Sequence, residues 1–596
     1  MFFLLLKFAY IILLAHVYGT AANDMLFRLI LRRRLESMSF SLVCITGLIT
    51  LNCLAAWLSI ALPMGVAANT LVLGGGILLA LAYRRALFSA WLRTFQQARG
   101  ASWPALISCI LSVLFILYFS SLQSITYDEG LYYSQFIRWT QTYAVVPGLA
   151  NLHDRFGFNS SWHVLAALFN FSGLAGQDVN QVNGVLYVLT SLYLFGGFRA
   201  DGAVNAAQAH SGVGGRAPLS RILKLGLLVL INMPWVGIYN FIAPAADLVV
   251  FYLLSVVIVV WLEHLERGEH LLDSPGAVLT WIVPAYLLTV KLSALPVLLL
   301  SAMLCCTALR QKRYRAASGL VLAGLLLVTP WLVRNVILSG YLLFPFEGLN
   351  LFAFDWKVPA AKVRQTREAI EAFGYLRNKV SATVVHTRLD RLRFLFRHNI
   401  RSYDLVLLLA VPLSPFLAWW RRHILPRGWV GLFVFIWIGI VFWFIQAPDP
   451  RFGYGYLAAL GVLVLGLCLP RLRASLCFLL VALAFEGGTI VLYRHLRTTL
   501  INEGTIAASP RASFILLPQP YTVPAVDTHQ EPFLYYTPAH LDLCWGTDLP
   551  CADQAREDIR PRGANLSAGF APAGAGGAAP TDSVARAALS AENPHR

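Results

Sequence analysis

Hydrophobic runs of about 20 residues, separated by short polar segments, repeat along most of the chain. A helix of ~20 apolar residues crosses the ~30 Å hydrocarbon layer of a bilayer, and lipid offers no partners to open backbone groups. The pattern therefore predicts an all-α polytopic transmembrane protein of about 14 helices. The predicted spans are 2–20, 39–62, 67–83, 104–121, 180–198, 223–240, 245–262, 277–290, 293–308, 317–338, 404–420, 429–447, 453–470 and 474–493.

Composition narrows the class of protein in the same direction. Hydrophobic residues make up 58% of the 596 positions and charged residues only 13%, and the mean hydropathy is +0.64. A water-soluble chain of this composition would expose too much apolar surface to stay dispersed. We therefore expect a membrane as the surroundings of the protein, and no nucleic acid among its partners.

Lysine and arginine in the loops predict the orientation, because they are retained on the cytoplasmic side of a membrane. If every predicted span is real, five basic clusters fall on one side, and the N-terminus and the C-terminal tail lie outside. Residues 1–22 lack the basic start of a cleaved signal peptide, so we expect a retained helix. The five clusters are Arg28–Arg34, Arg84–Arg99, Arg310–Arg315, Arg421–Arg427 and Arg471–Arg473.

The longest polar segments predict the domain organisation. A multi-helix domain of residues 1–493 contains two long outer loops, 122–179 and 340–403. An extracytoplasmic C-terminal region of residues 494–563 follows, and residues 564–596, rich in Ala, Gly and Pro, are expected to be disordered. The second outer loop is basic, which fits either attraction to phosphorylated lipids or simple contact with anionic headgroups.

The cysteines divide into two groups. Seven of the nine lie in or beside hydrophobic runs, where cysteine behaves as a small hydrophobe. The other two, Cys544 and Cys551, lie in the polar tail in the motif CWGTDLPC. Their short spacing in an outer tail favours a disulfide, and a metal pair is the weaker interpretation because no His or Cys partner follows at zinc spacing.

The first outer loop opens with the motif ITYDEGLYYSQFIRW, directly after a predicted span. Thr126-x-x-Glu129 has the form of a capping box, which predicts a helix from Tyr127. Asp128 then shares one face of that helix with an aromatic stripe that would lie flat in the membrane interface. The stripe consists of Tyr132, Phe136 and Trp139. Both acids are catalytic candidates, although each could also serve only to complement the N-terminus of the helix.

Further polar residues collect at the predicted outer face. His153 and Arg155 lie in the same loop and are candidates for substrate contact, whereas His163, on a largely apolar helix, is interpreted as structural. Others interrupt or flank hydrophobic runs, where ionisable groups are costly and usually functional. Each of these alone could also be a side chain that reaches up to the interface. They are Lys291, Arg334, Asp449, Arg451 and Tyr454.

With these motifs the sequence resembles the GT-C superfamily of membrane glycosyltransferases, and is closest to its protein O-mannosyltransferase and aminoarabinose-transferase branch. The Asp-Glu pair at the start of the first outer loop carries the resemblance. The segments PWLVRNVILSGYLLFPF and APDPRFGYGYL and the CWGTDLPC tail look like those of bacterial GT-C-like membrane proteins. The resemblance covers most of residues 100–560, and it implies a bacterial inner membrane protein whose active side is extracytoplasmic.

The resemblance also implies a reaction. A sugar on a polyprenyl phosphate would be transferred, with inversion, to a glycan, lipid or protein acceptor of the cell envelope. Asp128 would be the general base, and Arg451, Lys291 and Arg334 would stabilise the leaving lipid phosphate. No cofactor is expected, and a divalent metal stays open because related enzymes differ in using one.

Two other functions fit the same pattern of residues. A transporter or flippase for lipid-linked saccharides would also have many spans and a basic cavity, but it would not need a carboxylate at the start of the first outer loop. A ligase or polymerase for surface polysaccharide would use the same type of donor with a larger glycan. The position of Asp128 relative to Arg451 is the observation that best separates these alternatives.

Overall fold

The computed structural model of the chain describes residues 1–574, apart from 29–37, 101–102, 123–125, 199–217, 233–242, 270–271, 273–275, 377–386, 470–516, 519 and 522. Helices dominate this described part, as the hydrophobic runs predict. The helices are α1 (Phe2–Leu26), α2 (Phe40–Leu58), α3 (Val66–Ala82), α4 (Arg84–Arg99), α5 (Trp103–Ser120), α6 (Ser134–Thr142), α7 (Leu149–Leu152), α8 (Ser161–Leu168), α9 (Ser172–Ala175), α10 (Asn183–Leu194), α11 (Leu219–Ile231), α12 (Ala246–Arg267), α13 (Gly276–Val290), α14 (Leu298–Arg310), α15 (Tyr314–Ser339), α16 (Ala360–Leu376), α17 (Arg388–Phe394), α18 (Ser402–Trp420), α19 (Trp429–Gln446) and α20 (Pro450–Cys468).

Among the described residues, seven helices are long and apolar enough to cross a bilayer, or eight if one bent pair counts as a single span. The seven are α1, α2, α12, the segment Leu292–Arg310 that contains α14, α15, α19 and α20. In the bent pair, α3 and α4 meet at 85°. The chain is therefore a helical integral membrane protein, as predicted. These helices do not confirm the predicted count of 14, and the predicted span 474–493 lies outside the described residues.

Hydrogen bonds between neighbouring helices mark the two ends of the helical bundle. At one end, Tyr83, directly after α3, donates a hydrogen bond of 3.2 Å to Asp24 near the end of α1. At the other end, Arg334 near the end of α15 donates to Ser59, directly after α2, over 2.7 Å. The second end carries both long outer loops. The turn between α14 and α15 and the turn between α18 and α19, which hold two of the basic clusters, lie at the first end.

The C-terminal segment forms two small antiparallel strand pairs, β1 with β2 and β3 with β4. The strands are β1 (Val526–His529), β2 (Tyr535–Pro538), β3 (Ile559–Pro561) and β4 (Phe570–Pro572). Between the two pairs, Cys544 and Cys551 form a disulfide, which confirms the predicted bond. Because β4 lies beyond residue 563, the boundary predicted for the disordered tail is too early, and residues 575–596 lie outside the described part.

The first outer loop packs against this C-terminal segment. The helix predicted from Tyr127 is present and continues into α6. Its aromatic stripe does not lie in the membrane interface as predicted, because Phe136 and Trp139 are only 2% and 1% exposed. Both rings belong to a hydrophobic core that also contains Phe570 of β4. The stripe therefore anchors the C-terminal segment to the loop.

The second outer loop forms α16 and α17, and several of its basic residues pair within the protein. Arg364 and Arg367 approach Glu347 at 3.4 and 3.8 Å. Lys362 pairs with Asp558 of the C-terminal segment. Part of the basic character that the sequence shows is therefore neutralised by contacts between the outer segments.

Candidate functional site

Asp128 lies in the first turn of the helix that begins at Tyr127, directly before a π-helical turn. The π turn spans Glu129–Tyr133, and the N–H of Ser134 donates to the carbonyl of Glu129, five residues back. Single π turns inside α-helices frequently occur at functional sites. The extra residue in the turn changes the direction in which Asp128 projects relative to α6.

Two arginines hold the Asp128 carboxylate. Arg155 donates from Nη1 to one carboxylate oxygen over 3.0 Å, and Arg451 donates from Nη1 to the other over 3.3 Å. The three side chains are between 21% and 31% exposed, so the group can be reached from solvent. Arg155 and Arg451 are 296 residues apart in the sequence, as their numbers show, and the fold brings them to one carboxylate.

A second carboxylate, Asp247, completes the arrangement. Asp247 lies in the first turn of α12, and its Oδ2 is 3.2 Å from Nε of Arg451. Its Oδ1 pairs with the Lys291 ammonium, which lies directly after α13. The Asp247 side chain is only 7% exposed, whereas Lys291 and Arg451 are each 27% exposed. The buried Asp247 carboxylate therefore pairs with both of the more exposed cations.

Aromatic rings support the cations from the side. The Lys291 ammonium lies 3.8 Å from the centre of the Phe452 ring, and the Arg451 guanidinium lies 5.0 Å from the same ring. The Arg155 guanidinium lies 5.6 Å from the Tyr132 ring. Such cation–π contacts stabilise a desolvated cation and fix its position. The cations are therefore held by ring contacts as well as by their carboxylate partners.

We call these five residues the charge cluster, in which three cations pair with two carboxylates. Its members are Asp128, Arg155, Asp247, Lys291 and Arg451. Two neighbouring carboxylates, Asp154 and Asp449, also act on its arginines. Burial opposes the charge of Arg155, but the carboxylates around it, Asp128 first, outweigh this effect and raise the pKa of Arg155. A partly exposed cluster of this kind can bind an anion, and it presents a carboxylate beside that anion.

Glu129, the neighbour of Asp128, faces the other way. It is fully buried, and the Thr126 hydroxyl lies 3.4 Å from its carboxylate. Burial and the charge of Glu129 raise the pKa of Tyr521, which comes from the C-terminal segment. Glu129 therefore lies at the contact between the first outer loop and the C-terminal segment, apart from the charge cluster.

His153 lies beside the charge cluster without entering its ion pairs. Its Nδ1 accepts a hydrogen bond of 3.1 Å from the backbone N–H of Arg155, and the ring is 2% exposed. The next residue, Asp154, accepts from the Thr366 hydroxyl of α16 over 2.8 Å. These contacts fix the short helical segment that carries Arg155, so His153 has a positioning role in this structure.

Arg334 is placed differently from the other cations. It is 2% exposed, and it donates to Asn159 over 3.0 Å and to Ser59 over 2.7 Å. Neither partner belongs to the charge cluster. The structure thus gives Arg334 hydrogen bonds that tie the first outer loop to α2 and α15.

Of the predicted site residues near Arg451, Asp449 and Tyr454 make contacts that support the helices and do not belong to the charge cluster. Asp449 caps α20 by accepting from the N–H of Arg451 over 2.9 Å, and Tyr454 donates to Asp404 of α18 over 2.8 Å. A Cβ at Gly453 would lie 2.8 Å from Trp443, so this glycine permits close packing of α19 against α20.

The structure therefore unites four predicted site residues and adds one that the sequence argument missed. Asp128, Arg155, Lys291 and Arg451 meet through Asp247 and through one another. Asp247 was missed because a single acid before the hydrophobic run LVVFYLL reads as an ordinary helix start. Within the described ranges, no three His, Cys, Asp or Glu side chains form a group suited to a metal ion.

The fold and the site define a helical membrane protein with an ion-pair cluster where the first outer loop meets the ends of the helices. A family model described as Domain of unknown function (DUF8201) matches residues 1–458, and the chain belongs to this family. The matched region contains every member of the charge cluster and ends before the C-terminal segment. Comparison with curated proteins gives no match.

Proposed function

We propose that this protein is an extracytoplasmic membrane glycosyltransferase with a GT-C-like fold, located in a bacterial inner membrane. It transfers a sugar from a polyprenyl-phosphate donor to a glycan, lipid or protein acceptor of the cell envelope. The observation that supports this function is the contact of Asp128 with Arg451 in a partly exposed cluster. A base and a phosphate-binding cation must both be within reach of one glycosyl phosphate, on opposite sides of its anomeric carbon.

The cluster suggests how each residue takes part. The donor phosphate binds to Arg451 and Lys291, whose charges it shares with Asp128 and Asp247. As the phosphate takes over hydrogen bonds from Arg451, the Asp128 carboxylate becomes available to the acceptor. Binding of the donor thereby exposes the base only when there is a sugar to transfer.

The transfer itself is a displacement at the anomeric carbon of the donor sugar. The acceptor hydroxyl oxygen attacks the anomeric carbon from the face opposite the phosphate, and Asp128 takes the hydroxyl proton. The bond from the anomeric carbon to the phosphate oxygen breaks, and the lipid phosphate leaves with the bonding electrons. Arg451 and Lys291 stabilise the charge that this phosphate gains, which is the electrostatic part of the catalysis.

The decisive experiment is Asp128→Asn. The amide keeps the shape of the side chain but cannot accept a proton, so we expect transfer to fall roughly a hundred- to ten-thousand-fold, as for loss of a general base. The measurement is the mass of cell-envelope glycans in cells that carry the variant, with equal amounts of protein in the membrane.

Glu129→Gln is the matched control, because it removes the neighbouring carboxylate. Glutamine is also accepted in a capping box, and Glu129 lies outside the charge cluster, so we expect a milder loss. Unchanged glycan in the Asp128→Asn cells would remove Asp128 as the base. It would also favour a transporter of lipid-linked saccharides over a transferase.

A further inference from the structure

A backbone contact between distant parts of the chain lies directly beside Asp128. The backbone N–H of Trp545 donates to the carbonyl of Gly130 over 2.8 Å. Trp545 follows Cys544, so it belongs to the loop that the disulfide closes, residues 544–551, which we call the disulfide loop. Gly130 lies in the π turn that follows Asp128.

This contact gives a physical reason for the π turn. In an α-helix the N–H of Ser134 would donate to the carbonyl of Gly130, four residues back. Here that carbonyl accepts from Trp545, and Ser134 donates to Glu129 instead. One inserted residue rotates the start of a helix by about 100° relative to the rest. The direction of Asp128 relative to α6 is therefore coupled to the position of the disulfide loop.

Side chains hold the disulfide loop against the same helix. The Gln135 amide, which is fully buried, donates to the carbonyl of Thr547 over 2.7 Å. Arg138 donates to the carbonyl of Gly546 over 2.9 Å and to Asp548 over 2.8 Å. Successive turns of the helix thus contact one loop, which fixes both its distance and its register.

The indole of Trp545 leaves no room for a side chain on the π turn. A Cβ built on Gly130 would lie 2.4 Å from Cε2 of the indole. An alanine at position 130 must therefore push the disulfide loop away or shift the helix. The absence of a side chain at this position allows the Trp545 N–H to reach the Gly130 carbonyl.

We propose that the disulfide loop positions Asp128 between Arg155 and Arg451, and that Trp545 is the positioning residue. This inference rests on the proposed transferase function for its effect on the reaction, but its structural part does not. The loop holds the π turn, and the π turn aims the carboxylate at the two guanidiniums.

The first test reads the position of residue 128 without any transfer reaction. In the Asp128→Cys variant, two nearby guanidiniums favour the thiolate, so the introduced thiol reacts with a labelling reagent at lower pH than an ordinary thiol. Labelling is followed peptide by peptide, which separates this thiol from the natural cysteines. Adding Gly130→Ala should raise the labelling midpoint by about one pH unit or more.

Two further backgrounds make this test specific. Gly130→Ala combined with Trp545→Ala removes the clash but keeps the backbone N–H, so the midpoint should return towards that of Asp128→Cys alone. Gly74→Ala is the matched control, because a Cβ there meets nothing within 4 Å, and it should leave the midpoint unchanged. A midpoint that Gly130→Ala does not move would overturn the proposal, and a failure of Trp545→Ala to restore it would count against the backbone contact.

The second test measures transfer in nanodiscs from a defined polyprenyl-phosphate sugar. In the otherwise natural chain, Gly130→Ala should lower kcat roughly ten-fold or more, as a 1.4 kcal/mol loss of alignment does. The KM for the donor should stay close to its natural value, because Asp247 also holds Arg451 and Lys291. A loss of both kcat and donor binding would contradict a positioning role. An unchanged kcat would contradict it as well. If the natural protein transfers no sugar, the proposed function fails while the labelling test still decides the role of the loop.

Discussion

At the scale of single residues, some charged side chains form the charge cluster and others only support the structure around it. Asp128 and Arg451 were predicted as a base and a phosphate-binding cation, and the structure places them in contact at 3.3 Å. The sequence could suggest them because ionisable groups next to hydrophobic runs are rare. It could not suggest Asp247, whose importance comes only from the two cations that fold against it.

Arg451 tests the phosphate site at the level of one side chain. Its guanidinium can grip a phosphate with two parallel hydrogen bonds, which a lysine cannot reproduce despite its equal charge. We expect Arg451→Lys to raise the donor KM roughly ten- to a hundred-fold, as for a lost hydrogen bond between charged groups. The measurement is a donor titration of both forms in nanodiscs. A donor dependence like that of the natural protein would assign Arg451 to anchoring at the interface.

At the scale of elements, the helix from Tyr127 shows both what local sequence can predict and what it cannot. The motif Thr126-x-x-Glu129 predicted where this helix begins, because capping depends on neighbouring residues. The π turn could not be predicted, since it depends on Trp545, which is 415 positions further along the chain than Gly130. The aromatic stripe was assigned to lipid for a similar reason, because its true partner is β4.

A further prediction concerns Arg334, which lies near the end of α15. Asn159, with a left-handed backbone at φ 44°, donates to the Trp331 carbonyl and to Asn335 while its amide oxygen accepts from Arg334. Arg334→Lys keeps the charge but cannot reach both Asn159 and Ser59 in the same geometry. We expect a loss of about 1–3 kcal/mol in stability, because buried polar groups lose partners.

Thermal unfolding in detergent measures this loss, and a donor titration of the same variant supplies the contrast. A stability cost with a donor KM close to that of the natural protein agrees with a structural role for Arg334. A natural melting temperature with a raised donor KM would return Arg334 to the phosphate site, as the sequence first suggested.

For the whole molecule, the hydrophobic pattern predicted a helical membrane protein, and the predicted count of 14 spans is not confirmed by the described residues. Pattern alone does not distinguish a straight span from a bent pair such as α3 and α4, because bending depends on tertiary contacts. The placement of the outer loops and the C-terminal segment at one end of the bundle also needed the fold. Contacts such as that between Lys362 and Asp558 join segments that the sequence keeps far apart.

The orientation of the whole molecule can be tested with reporter fusions. We expect alkaline phosphatase fused after residue 574 to be active, because that enzyme needs an oxidising compartment and the predicted topology places the segment with the Cys544–Cys551 bond there. The same reporter fused at Gln311, in the turn between α14 and α15, should be inactive. A green fluorescent protein at the two positions should give the opposite pattern, and the reverse result would invert the topology.

The contacts of the disulfide loop also have a consequence for the order in which the protein is made. Arg138 and Gly546 are 408 positions apart, so the helix that bears Asp128 is synthesised long before the loop that contacts it. A nascent chain that stops after α20 would hold all five residues of the charge cluster but not the disulfide loop. If the loop positions Asp128 as proposed, such a truncated chain should insert into the membrane without the aligned carboxylate.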